Sequence, residues 1–279
     1  MRYHFGICEW SFPVFGPLAM QLAREAGYEG MQLGEAGGSN MGYPLNHRSV
    51  QKIYMETAAH LGLTLHSLNL GALLGEGNLN YAPGTMRGDF ARKSLWKGFE
   101  VCRNLDIHTI VITVEPSTEE ILDNIVSHLD FASKLAKESN VEIAVESAQP
   151  IGNILKLLNR VDDEIRICMD LLNPLRFGTG IPQEQIRAFG KSKISHFHMK
   201  DSEKSLFQMG QRGCTLLGQG DAGIHESVNI IKELGCDGWF ITENYYYLPP
   251  MNQKTDDFVA LAMKDLDTMK RLFAVETGM

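Results

Sequence analysis

Four residues able to bind a cation or carry a proton end four successive β-rich runs of this 279-residue chain: Glu146, Asp170, His198 and Glu243. Strand side chains alternate faces, so each run splits into two sets. Ile143 and Val145, Ile167 and Met169, Phe197 and Met199, and Phe240 and Thr242 form the mostly apolar set. The four polar residues take the opposite face, at the same end of each strand. Taken singly, a strand-ending Glu is a solvated loop residue and a strand His a hydrogen-bonded core residue. Brought into one layer, three carboxylates would repel one another or be forced to take up protons. A divalent cation removes that cost. Oxygen-rich ligation with a single imidazole suits Mn2+, Mg2+ or Co2+, whereas a structural zinc site prefers Cys and His.

Such a layer needs strands that all run the same way. The β-rich runs are Tyr3–Cys8, Gly30–Leu33, Leu63–Leu68, Thr109–Val114, Glu142–Glu146, Arg166–Asp170, Ile194–Met199 and Trp239–Glu243. Between them apolar residues recur every three or four positions, as at Val50, Ile53, Tyr54, Ala58 and Leu61, or at Leu122, Ile125, Leu129, Ala132 and Leu135. Ala26-Gly27, Leu61-Gly62 and Leu234-Gly235 place glycine just past a helix end. This alternation predicts an α/β protein, a (β/α)8 TIM barrel. An open doubly wound sheet is the competitor, but the first strand is not followed by Gly-x-Gly-x-x-Gly, and no Gly-x-x-x-x-Gly-Lys-Ser/Thr occurs. With no linker or composition break, a single domain over residues 1–279 is expected. The long stretches Gly71–Gly88 and Asp201–Gly223 follow strands three and seven, on the face where barrels build their sites. Both are candidate lids or pocket walls.

Hydrophobic residues make up 44% of the chain and charged residues 22%, which excludes a disordered or low-complexity protein. Thirty-four acidic against 26 basic residues leave a formal charge of −8, unfavourable for binding phosphate backbones or anionic membranes. Cys8, Cys102, Cys168, Cys214 and Cys236 are scattered, so neither a disulfide framework nor a zinc knuckle is expected. No apolar run approaches the ~18 residues of a membrane span. Met1–Trp10 lacks the apolar stretch of a signal peptide, and a cytoplasmic protein is the expectation.

The motifs Ala144-Val145-Glu146, Cys168-Met169-Asp170, His196-Phe197-His198-Met199-Lys200-Asp201 and Gly218-Gln219-Gly220-Asp221 occur in that order. Gly235-Cys236-Asp237-Gly238, leading to Ile241-Thr242-Glu243, completes the set. With them the chain resembles the xylose isomerase-like (sugar phosphate isomerase/epimerase) barrel superfamily over essentially its whole length, most strongly from Val141 to Tyr245. The resemblance implies that Glu146, Asp170, His198 and Glu243 ligate one divalent cation, Mn2+ ahead of Mg2+, Co2+ or Zn2+. It also implies that Glu146 and Glu243 are the catalytic proton carriers and that the chain forms a homodimer or homotetramer. Two departures stand out. Asn173 takes the place where the family often has an imidazole, and an amide cannot shuttle a proton. Ser147-Ala148-Gln149-Pro150 follows Glu146, without the arginine and extra glutamate of the ketose 3-epimerase branch.

The expected chemistry is isomerisation or epimerisation of a small sugar or keto-polyol in carbohydrate metabolism, through a metal-stabilised enediolate. Loss of a β-hydroxyl on the same site would instead make the protein a keto-inositol-type dehydratase. A metallo-phosphodiesterase of the endonuclease IV type is a third alternative, disfavoured by the acidic charge and by the lack of histidines inside strand four. His66, Asn173, Lys200 and Trp10 are the candidate substrate-binding residues, with Glu9, Asn69, Glu115 and Asp201 at other strand ends. Lys200 is expected to pair with a nearby carboxylate. Tyr245-Tyr246-Tyr247 could equally wall a sugar pocket or line a subunit interface. Lys204 and Arg212 are candidate phosphate contacts, but with no Gly-rich cradle a non-phosphorylated substrate is expected. The partner is thus a small molecule, with neither nucleic acid nor membrane.

Overall fold

The structure, a computed structural model, describes residues 2–34, 36–37, 42–74 and 79–274. Its eight strands are hydrogen-bonded in chain order and the order closes on itself, giving the parallel (β/α)8 barrel. By internal packing the chain groups into two compact units, residues 1–31 with 169–279, and residues 32–168.

In the first unit, β1 (Tyr3–Cys8) pairs with β8 (Gly238–Thr242), which pairs with β7 (Ile194–Met199). The register sets Phe197 opposite Phe240, and their rings stack at 5.2 Å. Phe240 also meets Phe273 of α10 (Phe258–Phe273) at 4.2 Å. That aromatic column marks the helix-facing side. His198 and Ile241 share the other side, as does Gly6 of β1. A Cβ on Gly6 would lie 2.6 Å from the Ile241 side chain and 3.1 Å from the Gly30 carbonyl, so only glycine fits there. Helices α1 (Pro17–Glu25), α7 (Pro182–Lys193) and α9 (Ile224–Glu233) complete the unit's regular elements, with short turns at α6 (Asn173–Arg176) and α8 (Lys204–Gln208).

In the second unit, α2 (Arg48–Leu61), α3 (Met86–Leu105), α4 (Glu119–Ser139) and α5 (Ile151–Leu158) alternate with β3 (Thr64–Asn69), β4 (Thr109–Thr113) and β5 (Glu142–Glu146). Strands β2 (Gly30–Leu33) and β6 (Arg166–Asp170) each run from one unit into the other. Val111 lies opposite Ala144, and these two form one fully buried layer with Cys168. The α2 helix ends on Gly62 at φ 62°, as the Leu61-Gly62 pair predicts. Asp106 and Asn140 do the same for α3 and α4, in left-handed conformations that the glycine signal does not cover. The buried stripe of α2 also differs from expectation. Gln51, Tyr54 and Ala58 are buried and Ile53 is half exposed, because the Gln51 amide donates to the Leu45 carbonyl and accepts from Asn104.

The Gly71–Gly88 stretch is a short 3-10 turn over Gly71–Leu74 and a segment joining α3, with residues 75–78 outside the described residues. The Asp201–Gly223 stretch carries α8. No helix among the described residues is long and apolar enough to cross a membrane. All five cysteines are buried thiols.

Candidate active site

Asp170, His198 and Glu243 come together in the first unit. Each offers one ligand atom, and these atoms lie within 4.8 Å of one another, in almost complete burial. The Asp170 side chain is oriented by its own turn: Oδ1 accepts the Leu172 and Asn173 amides at 2.7 and 2.6 Å. Its Oδ2 faces Lys200 Nζ at 3.6 Å and His198 Nδ1 at 4.0 Å. Glu243 stands one residue past β8, fixed by its amide donating to the Met199 carbonyl at 3.0 Å. Both of its carboxylate oxygens are engaged. Oε1 accepts from Trp10 Nε1 at 3.0 Å and from the Tyr245 hydroxyl at 3.3 Å. Oε2 accepts from Lys200 Nζ at 2.9 Å and lies 3.3 Å from His198 Nδ1.

Burial works to raise the Glu243 carboxyl, but the charges of Lys200 and His198 outweigh it and hold the group well below the ordinary carboxylate value. Lys200 shows the mirror image. Burial disfavours its charge, and Glu243, Tyr245 and Asp170 more than restore it, so the ammonium stays charged far above its usual range. The Lys200 ammonium also lies 5.1 Å from the centroid of the Tyr245 ring, a cation–π contact.

The donor set fits a divalent cation. Two carboxylate oxygens and one imidazole nitrogen face the same point, and those oxygens already turn toward a positive charge, the Lys200 ammonium.

Glu146 ends β5 in the other unit, half-buried, with its carbonyl accepting the Val114 amide. Glu115 stands near it. Its carboxyl is pushed up by burial and by the Glu146 charge, while hydrogen bonds from Gln149 Nε2 (2.9 Å) and the Ala148 amide pull it down. Asn69 ends β3, buried, in register with Val111 of the apolar layer. His66 lies three residues earlier and therefore on the opposite face of β3, with its Nδ1 2.9 Å from the Ser67 hydroxyl. The structure thus does not bring His66 to the strand-end layer with Asn69. Asn173 contributes its amide to Asp170 and is half-buried at the start of α6. Glu9 is buried against the β1–α1 turn, its Oε1 accepting the Gly16 amide at 2.7 Å. The tyrosine run divides: Tyr245 bonds Glu243, whereas Tyr246 is fully buried with its hydroxyl on Asp265. Lys204 and Arg212 are both exposed.

Three further residues shape the surroundings: Asp201, a strand-end candidate of the sequence, and Asn244 and Asp265, which carry no motif signal. Asp201 is buried and accepts four backbone amides, those of Ser202, Gly218, Gly220 and Ala222, which folds the Gly218-Gln219-Gly220-Asp221 loop over the end of β7. Burial raises its carboxyl although those amides pull the other way. Asn244 and Asp265 form a second buried cluster. A carboxylate inside the apolar stripe of α10, beside Leu261, Ala262, Leu266 and Met269, was the available clue to Asp265.

The chain matches the family described as xylose isomerase-like TIM barrel over residues 20–266. It belongs to that family. Its fold is similar to a xylose isomerase domain protein from Planctomyces limnophilus, at 15% identity and TM-score 0.76, covering 97% of this chain and 98% of that one. It is similar to an IolI protein with a bound zinc atom, at 19% identity and TM-score 0.78, covering 98% and 100%. A D-allulose 3-epimerase from Methylomonas sp. matches at 16% identity and TM-score 0.73, covering 98% of each chain. No curated protein matches the sequence significantly.

Proposed function

We propose that this protein is a divalent-metal-dependent isomerase or epimerase of a small sugar or keto-polyol, working as one domain over residues 1–279. The observation that carries the proposal is the buried cluster of Asp170, His198 and Glu243, closed on one side by Lys200. Glu146 is proposed as the fourth ligand. Its strand pairs with β6 in a register that sets Ala144 opposite Arg166 and Val145 opposite Ile167, and β6 runs on unbroken to Asp170. Family membership and the sugar epimerases among the structural relatives support the substrate class.

Held by these residues, a divalent cation would polarise a substrate carbonyl and fix the neighbouring hydroxyl; Mn2+ suits the donor set best. The protein supplies the rest. Trp10 and Tyr245 hold Glu243 Oε1, while Lys200 and His198 hold Oε2, so Glu243 is kept anionic. Glu146 is accordingly proposed as the acceptor of the proton α to the carbonyl and, in isomerisation, as the donor that returns it. In epimerisation Glu243 must first take up a proton from solvent before it can deliver one to the other face. Trp10 and Tyr245 are proposed to wall the sugar pocket, since aromatic faces pack against C–H-rich sugar surfaces. Return of the proton to the adjacent carbon gives the isomer; return to the opposite face gives the epimer.

Incubation of the Mn2+-loaded protein with ketoses, aldoses and keto-inositols in deuterated water, followed by NMR, tests this. Deuterium at one carbon of a product isomeric with its substrate supports the proposal. A product lighter by one water makes the protein a dehydratase on the same site. Failure to take up any divalent cation, with no exchange on any substrate, overturns it.

A further inference from the structure

The residues that follow Lys200 and Glu243 in the chain are tied to each other. Asn244 Oδ1 accepts the Asp201 amide at 3.1 Å, one residue beyond the Lys200–Glu243 ion pair on each strand. The amide group of Asn244 cannot turn over without losing its other bonds. Its Nδ2 donates to the Thr215 carbonyl at 2.8 Å and to Asp265 Oδ2 at 2.7 Å. Asp265 in turn receives the Tyr246 hydroxyl at 2.8 Å on Oδ2 and the Leu217 amide at 2.8 Å on Oδ1. Tyr28 packs on the same cluster, its hydroxyl 3.0 Å from Thr242 Oγ1 and donating to the Ala262 carbonyl. Asp265, Asn244 and Tyr246 have no measurable exposure.

A fully buried carboxylate on a helix is costly, and three donors offset that cost without gaining over a well-packed apolar side chain. What the carboxylate supplies is orientation. Its oxygens face three donors, so it fixes which end of the Asn244 amide points at it and leaves the amide oxygen for Asp201. We infer that Asp265 is a positioning residue: through Asn244 it holds the ends of β7 and β8 at the spacing at which Lys200 and Glu243 meet. The inference rests on the proposed role of Glu243 in the reacting site.

The chain contains its own reporter. Trp10 Nε1 donates to Glu243 Oε1, so its indole N–H resonance registers where that carboxylate sits. In nitrogen-15 spectra of the full-length protein, with Trp10 assigned through Trp10→Phe, Asp265→Asn is expected to displace or broaden the Trp10 indole signal. The signal of Trp96, on α3, should stay in place. Mn2+ affinity measured by calorimetry should fall by about tenfold or more, as for other residues supporting metal ligands. Asn244→Ala should displace the same resonance, and the double variant should be no worse than either single one, because the two act in series. If Asp265→Asn does not fold, Asn244→Ala and Tyr246→Phe, which removes one of the three donors, carry the same test. A Trp10 signal unmoved in the folded variants, even with lowered thermal stability, overturns the inference and leaves Asp265 a core residue. A displaced signal in a protein that binds no Mn2+ would instead overturn the proposed function while leaving the positioning intact.

Discussion

The two compact units differ in how deeply they bury the carboxylates near their strand ends. In residues 1–31 with 169–279, Glu243 meets three donors and an imidazole, Asp201 four backbone amides, and Asp265 three donors. In residues 32–168, Glu115 and Glu146 are half-buried, and the donors to Glu115 are the uncharged amides of Gln149 and Ala148. A buried charge must be given partners or give up its charge, whereas a half-buried one keeps some freedom to do either. The first unit thus buries its three carboxyls among donors, whereas the second leaves its pair partly open to solvent.

The contrast can be broken most severely at the two glutamates. Glu243→Gln should abolish metal uptake and turnover and also lower stability by about 3 kcal/mol, because Lys200 loses its nearest anion in a buried setting. Glu146→Gln should cut turnover by roughly 10^2–10^4-fold, the usual share of a general base. Its thermal unfolding should stay close to wild type. Equal stability losses in the two variants would erase the distinction between a buried and a half-buried carboxylate.

A subtler test uses pH. Asp265 lies in the first unit, where burial, the leading cause, pushes its carboxyl up to about 7 against the pull of Leu217, Asn244 and Tyr246. A carboxyl raised above its unfolded value binds more protons in the native state, so stability is greatest at low pH and falls as pH rises toward 7. The slope should reach no more than about 1.4 kcal/mol per pH unit between roughly pH 4 and 7. Denaturant midpoints across that range should show it, superimposed on the other titrations, and Asp265→Asn should remove it. The smallest effects belong to helix caps and should not distinguish the units. Thr118 Oγ1 accepts the Ile121 amide at the start of α4, and Asp257 Oδ1 accepts the Ala260 amide at the start of α10. Alanine at either position should cost about 1 kcal/mol in chemical denaturation.

The strand ends were legible because alternation and β-rich composition are local: Glu146, Asp170, His198 and Glu243 stand at the expected ends, and the aromatic column of Phe197, Phe240 and Phe273 confirms the face opposite His198. What the sequence hid depends on partners distant along the chain. Gln51 replaces Ile53 in the buried stripe of α2 because its amide finds Leu45 and Asn104, which hydropathy does not weigh. Three adjacent tyrosines read alike, but Tyr245 and Tyr246 point to different carboxylates. Asp265 was visible as an oddity in an apolar helix face, whereas its bonds to 217, 244 and 246 follow only from the closed fold.

The four amides gathered on Asp201 have a kinetic consequence. Ser202, Gly218, Gly220 and Ala222 lie in irregular chain, where amide hydrogens ordinarily trade with solvent almost freely. Because they share one buried acceptor, all four are released at once when the Asp201 carboxylate comes free. In hydrogen exchange this loop should therefore behave as a single cooperative unit, with protection like that of a barrel strand.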